Sequence, residues 1–161
     1  MVKLSKLLEE NSKAYYRMLT LIGDESSEKE RIQTIETYLG NKEWKIYDVE
    51  DIVMDIKNRV DEEELSFVIG DEIKSWVFKE ETGHKILLKN ANILYSKELS
   101  APQPFATFKY LTRNGKEIIL ILDAKMVGRN KAIYATPNNE EFATIDFSEV
   151  VHEELKNVVV E

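Results

Sequence analysis

The chain has no cysteine and only three prolines and six glycines among its 161 residues. The absence of cysteine excludes disulfides, thiol nucleophiles and thiolate metal ligands. Scarce proline and glycine, with 43% hydrophobic and 32% charged residues, exclude collagen-like and wholly disordered chains. This length is typical of one domain, so we expect a single domain over residues 1–161.

Basic residues are too few to balance the acidic ones. The 22 Lys and Arg residues stand against 30 Asp and Glu residues, which gives a formal net charge of −8. A negative chain repels phosphate backbones, so general coating of nucleic acid is disfavoured. The opening MVKLSKLLEENSK is interrupted by charges before it reaches the length of a signal peptide or a membrane span. We therefore expect a cytoplasmic protein with no membrane attachment.

Short apolar runs alternate with segments of helical periodicity. Residues 1–17 carry leucines at three- and four-residue spacing, which predicts an amphipathic helix docked on the domain. Strands are predicted at 18–22, 44–47, 85–88, 117–122, 132–135 and 143–147, and helices at 27–39, 49–60, 73–83, 105–111 and 149–155. Residues 65–69 fit a helical turn or a short strand, and Pro137-Asn138-Asn139 predicts a turn. The alternation predicts a three-layer α/β domain with a mainly parallel sheet.

The junction GDESSEKE at 23–30 lies where an α/β nucleotide-binding domain has its phosphate-binding loop. Compared with the Walker A pattern G-x-x-x-x-G-K-[ST], it keeps Gly23 and Lys29, but Glu28 replaces the second glycine and Glu30 replaces the hydroxyl residue. Glutamates at a helix N-terminus bring the negative charge that a nucleotide would otherwise bring. The simpler interpretation is an ordinary helix cap, with Ser27 and Glu30 at capping-box spacing.

A magnesium-binding carboxylate is also required at the end of an apolar strand in a hydrolytic P-loop enzyme. Lys89 and Asn90 follow the strand predicted at 85–88, so no acid is present there. Asp123 follows the strand predicted at 117–122 and is the candidate ligand, although such an Asp more often begins a turn. We therefore predict no catalytic residue, no metal site and no cofactor.

Basic residues form two local groups that would make a positive patch if both lay at one edge of the sheet. The groups are Lys109, Arg113 and Lys116, and Lys125, Arg129 and Lys131. Such a patch suits nucleic acid or an acidic partner, whereas lysines on a surface are usually only solvated.

The order of these features resembles the small P-loop-like proteins of BREX phage-defence systems, of the BrxF type and more remotely the BrxB type. The resemblance covers residues 18–147 and is carried by LTLIGDESSEKERI, KILLKNANILYSKEL, KYLTRNGKEIILIL and AIYATPNNEEFATI. It implies a P-loop-like scaffold and a place in an anti-phage pathway. Glu28, Glu30 and Lys89 depart from the pattern of a working nucleotide site, which makes the phosphate loop degenerate.

The sequence therefore predicts a non-catalytic adaptor or assembly component of a bacterial anti-phage system, with other proteins as its partners. One alternative is a divergent protein that binds ATP and magnesium through Lys29 and Asp123. Another is an accessory protein that contacts nucleic acid through Arg113, Arg129 and neighbouring lysines.

Overall fold

A computed structural model describes residues 1–97, 99, 103–135 and 142–161. The predicted turn at 137–139 lies outside these residues. The strands are β1 (Val2–Lys3), β2 (Met18–Ile22), β3 (Lys45–Asp48), β4 (Lys85–Lys89), β5 (Glu117–Leu122), β6 (Lys125–Met126), β7 (Lys131–Tyr134), β8 (Ala143–Asp146), β9 (His152–Glu154) and β10 (Val158–Val159). The α-helices are α1 (Leu4–Ser12), α2 (Lys29–Gly40), α3 (Val49–Arg59), α4 (Glu62–Val77) and α5 (Pro104–Leu111).

Five strands form a sheet in the order β3-β4-β5-β2-β9, and every pairing within it is parallel. The predicted mainly parallel α/β fold is confirmed. Strands β6, β7 and β8 form a separate antiparallel sheet, and β1 pairs with β10 near the chain ends. The long apolar runs became the central strands, because such strands are covered on both faces.

Two apolar cores lie on opposite faces of the sheet. In β2, Met18 and Ile22 point to one core while Leu19 and Leu21 point to the other, as the two-residue period of a strand requires. Helices α3, α4 and α5 pack on the first face, and α1 and α2 pack on the second. The result is three layers, with the opening helix docked as predicted but ending at Ser12.

The predicted helix at 149–155 is wrong. Residues His152–Glu154 form strand β9, which pairs in parallel with β2 from Thr20 to Ile22. The edge of β2 offers unpaired backbone groups, and pairing with that edge overrides a weak local preference for helix.

Helix α4 settles the two segments that the pattern left uncertain. Residues 65–69 belong to this helix, and the helix predicted at 73–83 is its second half. The helix ends at Val77 rather than Gly83, because a short 3-10 turn at Glu80–Thr82 intervenes. None of the described helices has both the length and the apolar character that a membrane span requires.

Candidate functional site

A cleft of about 570 Å³ opens at the carboxyl ends of the parallel strands. Helix α2 leaves β2 over one face of the sheet, whereas the segments after β4 and β5 cross the other face. Ligands of open α/β sheets bind in the crevice at such a switch point. The cleft is lined by Glu25, Ser26, Lys29, Ile32, Gln33, Glu36, Glu50, Lys89, Asn90, Asn92 and Asp123.

Three backbone donors of the loop after β2 are bonded within the protein. The N–H of Gly23 donates to the Leu122 carbonyl at 3.1 Å. The Ser26 N–H donates to Asp24 Oδ1 at 3.0 Å, and the Glu28 N–H donates to the Asp24 carbonyl at 3.2 Å. A phosphate-binding loop needs these donors to point at the ligand.

Asp24 also explains why the predicted capping box at Ser27 and Glu30 is wrong. The Asp24 carboxylate accepts from the Ser26 hydroxyl at 2.6 Å, and its carbonyl accepts from the Ser27 hydroxyl at 3.2 Å. This Asx turn holds the Ser27 hydroxyl away from the helix. Helix α2 therefore begins at Lys29, and its N-cap residue, Glu28, makes no side-chain capping bond.

Glu25 places a carboxyl group inside the cleft. Burial, together with the charges of the neighbouring carboxylates of Asp123, Asp48 and Glu50, raises the pKa of Glu25 to about 7. The backbone N–H of Asn90 donates to Glu25 Oε2 at 3.3 Å and partly offsets that rise in pKa. Near neutral pH, this carboxyl is therefore divided between its protonated and ionised forms.

The end of β4 closes the opposite side of the cleft. Asn90 has a left-handed backbone with φ of 56°, and its side-chain amide donates to Asp48 Oδ2 at 2.8 Å. Lys89 Nζ lies 2.8 Å from Glu36 Oε1 on α2, and this ion pair raises the pKa of Lys89. Lys89, which the sequence comparison marked only as a missing acid, thus joins β4 to α2.

Asp123 lies in the cleft beside the end of β5, held by the side chain of Asn92. The Asn92 amide donates to the Asp123 carbonyl at 2.6 Å and accepts from the Asp123 N–H at 2.9 Å. Burial raises the pKa of the Asp123 carboxyl, and the charge of Asp24 raises it further. Among the described residues, no three Asp, Glu or His side chains are placed to hold one metal ion.

The four positions that were compared with the Walker A pattern lie in different surroundings. Lys29 lines the cleft, as Asp123 does, so the pair invoked by the nucleotide-binding alternative is brought together. Glu28 Oε2 instead accepts from Arg31 Nε at 2.9 Å, and Glu28 and Glu30 line a neighbouring groove with the C-terminal residues. Gly23 is packed closely against Leu155.

Among the acidic residues of the segment at 23–30, Glu25 is therefore the one that lines the cleft, and the motif comparison passed over it. The motif template compares only its own defined positions, and Glu25 falls on one of the unrestricted ones. The available signal was an Asp-Glu pair directly after a buried strand, because strand ends are where α/β folds place functional side chains.

Two lysines of the predicted basic patch are buried and bonded within the protein. Lys109 is buried and its Nζ lies 2.9 Å from Glu149 Oε1, while Lys116 is buried and donates to the Gly83 carbonyl. Arg113 stacks on the Tyr15 ring, with its guanidinium carbon 3.7 Å from the ring centroid. Buried and bonded amines are poorly placed to bind phosphates.

The chain shows no significant match to a protein-family model, to a curated protein or to a solved structure.

Proposed function

We propose that this protein is a non-catalytic adaptor or assembly component of a bacterial anti-phage defence system, built on a degenerate P-loop-like scaffold. The observation that carries the non-catalytic part is the loop after β2. Its N–H groups at Gly23, Ser26 and Glu28 are bonded to protein oxygens. The placement in phage defence depends on the resemblance to the small BREX proteins.

The electrostatics of the cleft also oppose a nucleotide. Four carboxyl side chains line it, those of Glu25, Glu36, Glu50 and Asp123, against the amines of Lys29 and Lys89. Lys89 is already paired with Glu36. A triphosphate would be repelled by the excess of negative charge in the cleft. It could reach the loop's N–H groups at Ser26 and Glu28 only if their hydrogen bonds to Asp24 were broken.

Calorimetric titration with ATP and magnesium tests the proposal directly. We expect no heat of binding from the wild-type protein and none from Lys29→Ala. The nucleotide-binding alternative, favoured by the shared cleft of Lys29 and Asp123, expects heat that Lys29→Ala and Asp123→Asn abolish. Lys6→Ala, on α1, is the matched control because it also removes one exposed lysine charge. Saturable binding that depends on Lys29 would refute the non-catalytic proposal.

The place in phage defence is tested separately by purification of the tagged protein from its native host. We expect stoichiometric recovery of at least one other protein that is required for phage resistance. Recovery of the chain alone, with unchanged phage resistance after its deletion, would refute this part.

A further inference from the structure

The negative charge of the chain is concentrated in one part of the fold. Residues 48–81, which contain helices α3 and α4, carry twelve acidic and four basic residues, a difference equal to the net charge of −8 for the whole chain. The remainder carries equal numbers of both signs. The two helices pack against each other and on the same face of the sheet, so their outer sides form one acidic surface.

Large apolar side chains project from this acidic surface. Phe67 on α4 is 85% exposed and Met54 on α3 is 58% exposed. Residues at three- and four-residue spacing share one face of a helix, and for Phe67 these neighbours are Glu63, Glu64, Gly70 and Asp71. The Phe67 ring, next to three acidic residues and one glycine, lies outside the core. It is therefore not buried by folding and does not stabilise the fold.

The same face continues along α4. Phe78, at its C-terminal end, lies eleven residues after Phe67 and is also partly exposed. Eleven residues make about three helical turns, so the two rings lie about 16 Å apart on one side of the helix. Between them on this side lie Lys74, which is exposed, and Gly70, which leaves open space where other residues carry a side chain. A partner backbone can approach a helix closely at such a position.

Charge decides what kind of partner fits this surface. Nucleic acid and anionic membranes are repelled, and a second copy would set one acidic face against another. A positively charged protein segment is attracted at long range and can bury Phe67. Its helical form is indicated by the spacing of the two rings and the gap at Gly70, which match a helix laid along α4.

We infer that the outer face of α3 and α4 docks a basic amphipathic helix of a partner protein, with Phe67 as the apolar anchor. The inference rests on the proposed adaptor function and assigns its contact surface.

A pair of synthetic peptides tests the inference by fluorescence anisotropy. The first is an amphipathic helix with a leucine stripe flanked by lysine and arginine, and the second has glutamate in place of every basic residue. We expect the basic peptide to bind the wild-type protein and the acidic peptide not to bind. Phe67→Ser should weaken binding about tenfold or more, because a buried aromatic anchor dominates an interface.

Val127→Ser is the matched control, since Val127 is also an exposed apolar residue but lies just after β6, outside the acidic segment. It should bind the basic peptide like the wild type. Three outcomes would overturn the inference: no binding of the basic peptide, equal binding by Phe67→Ser, or self-association of the protein that Phe67→Ser abolishes. ATP binding through Lys29 would refute the proposed function alone, because Phe67 does not line the cleft.

Discussion

Glu25 is a carboxyl group buried in a cleft that already holds other carboxylates. Its nearest charged neighbours of like sign, Asp123, Asp48 and Glu50, come from the ends of β5 and β3 and the start of α3. The Asn90 N–H donates a hydrogen bond to this carboxyl. The loop that Asp24 shapes holds the Glu25 carboxyl in the cleft. When this carboxyl is ionised, it lowers the free energy of unfolding.

Glu25→Gln should flatten the pH dependence of stability. A carboxyl whose native pKa is raised from 4.5 to about 7 takes up a proton on folding, so wild-type stability falls as pH rises through that window. The variant should exceed the wild type by about 1 kcal/mol at pH 8, since partial solvent screening reduces the full effect. Urea unfolding at a series of pH values measures this.

Glu64→Gln provides the control for the loss of one charge, because Glu64 is exposed in the first turn of α4. It should keep the wild-type decline between pH 4.5 and 7. A Glu25→Gln protein with that same decline would show that the cleft does not destabilise the ionised carboxyl.

At the scale of elements, α4 is held by its buried residues but contains one residue, Gly70, with low helix propensity. Its buried residues Leu65, Ile69, Ile73 and Val77 recur every four residues and bind it to the core. Gly70 lies in the helix interior with nothing within 4 Å of the position of an added Cβ. Glycine in a helix interior loses more conformational entropy than alanine, so this position lowers the stability of α4.

Gly70→Ala should therefore stabilise the protein by about 0.5 to 1 kcal/mol in urea unfolding. Gly115→Ala is the matched control, since Gly115 is equally open but has φ of +90°. Alanine is strained in that conformation, so the control should lose about 1 kcal/mol. A loss of stability in Gly70→Ala would contradict the assignment of Gly70 to an unobstructed helical position.

At the scale of the whole molecule, the C-terminal residues complete the fold. Strand β9 adds the fifth strand beside β2, and β10 pairs with β1 near the start of the chain. Leu155 and Val158 are buried in the core on the α1 and α2 side of the sheet. Arg31 on α2 donates a hydrogen bond to the Val158 carbonyl, so the cleft-forming helix is fastened to the same segment.

Leu155→Ala should cost about 2 to 4 kcal/mol, because Leu155 is fully buried and its truncation leaves a cavity in the core. Val127→Ala, at an exposed site, should change stability by less than about 0.5 kcal/mol. The free energy of unfolding in urea compares the two. If both variants unfolded alike, β9 and the residues after it would not belong to the cooperative core.

Prediction from the sequence succeeded where local pattern and tertiary need agreed. The runs Met18–Ile22 and Glu117–Leu122 are strands over their predicted lengths, because continuous apolar side chains are tolerated only between two covered faces. Prediction failed at His152–Glu154, where three polar residues form a strand only because the edge of β2 is free. The predicted cap at Ser27 also failed, because the Ser27 hydroxyl donates to the Asp24 carbonyl rather than to the start of α2.

The sequence by itself determined the alternating α/β order, the central strands and the acid-rich segment at 23–30, because hydrophobic period and composition are local properties. Only the tertiary structure decided that Glu25 enters the cleft, that Lys89 pairs with Glu36 and that Lys29 and Asp123 line the same cleft. These side chains lie on elements far apart in the chain, and the order in which parallel strands assemble decides which loops share one edge of the sheet.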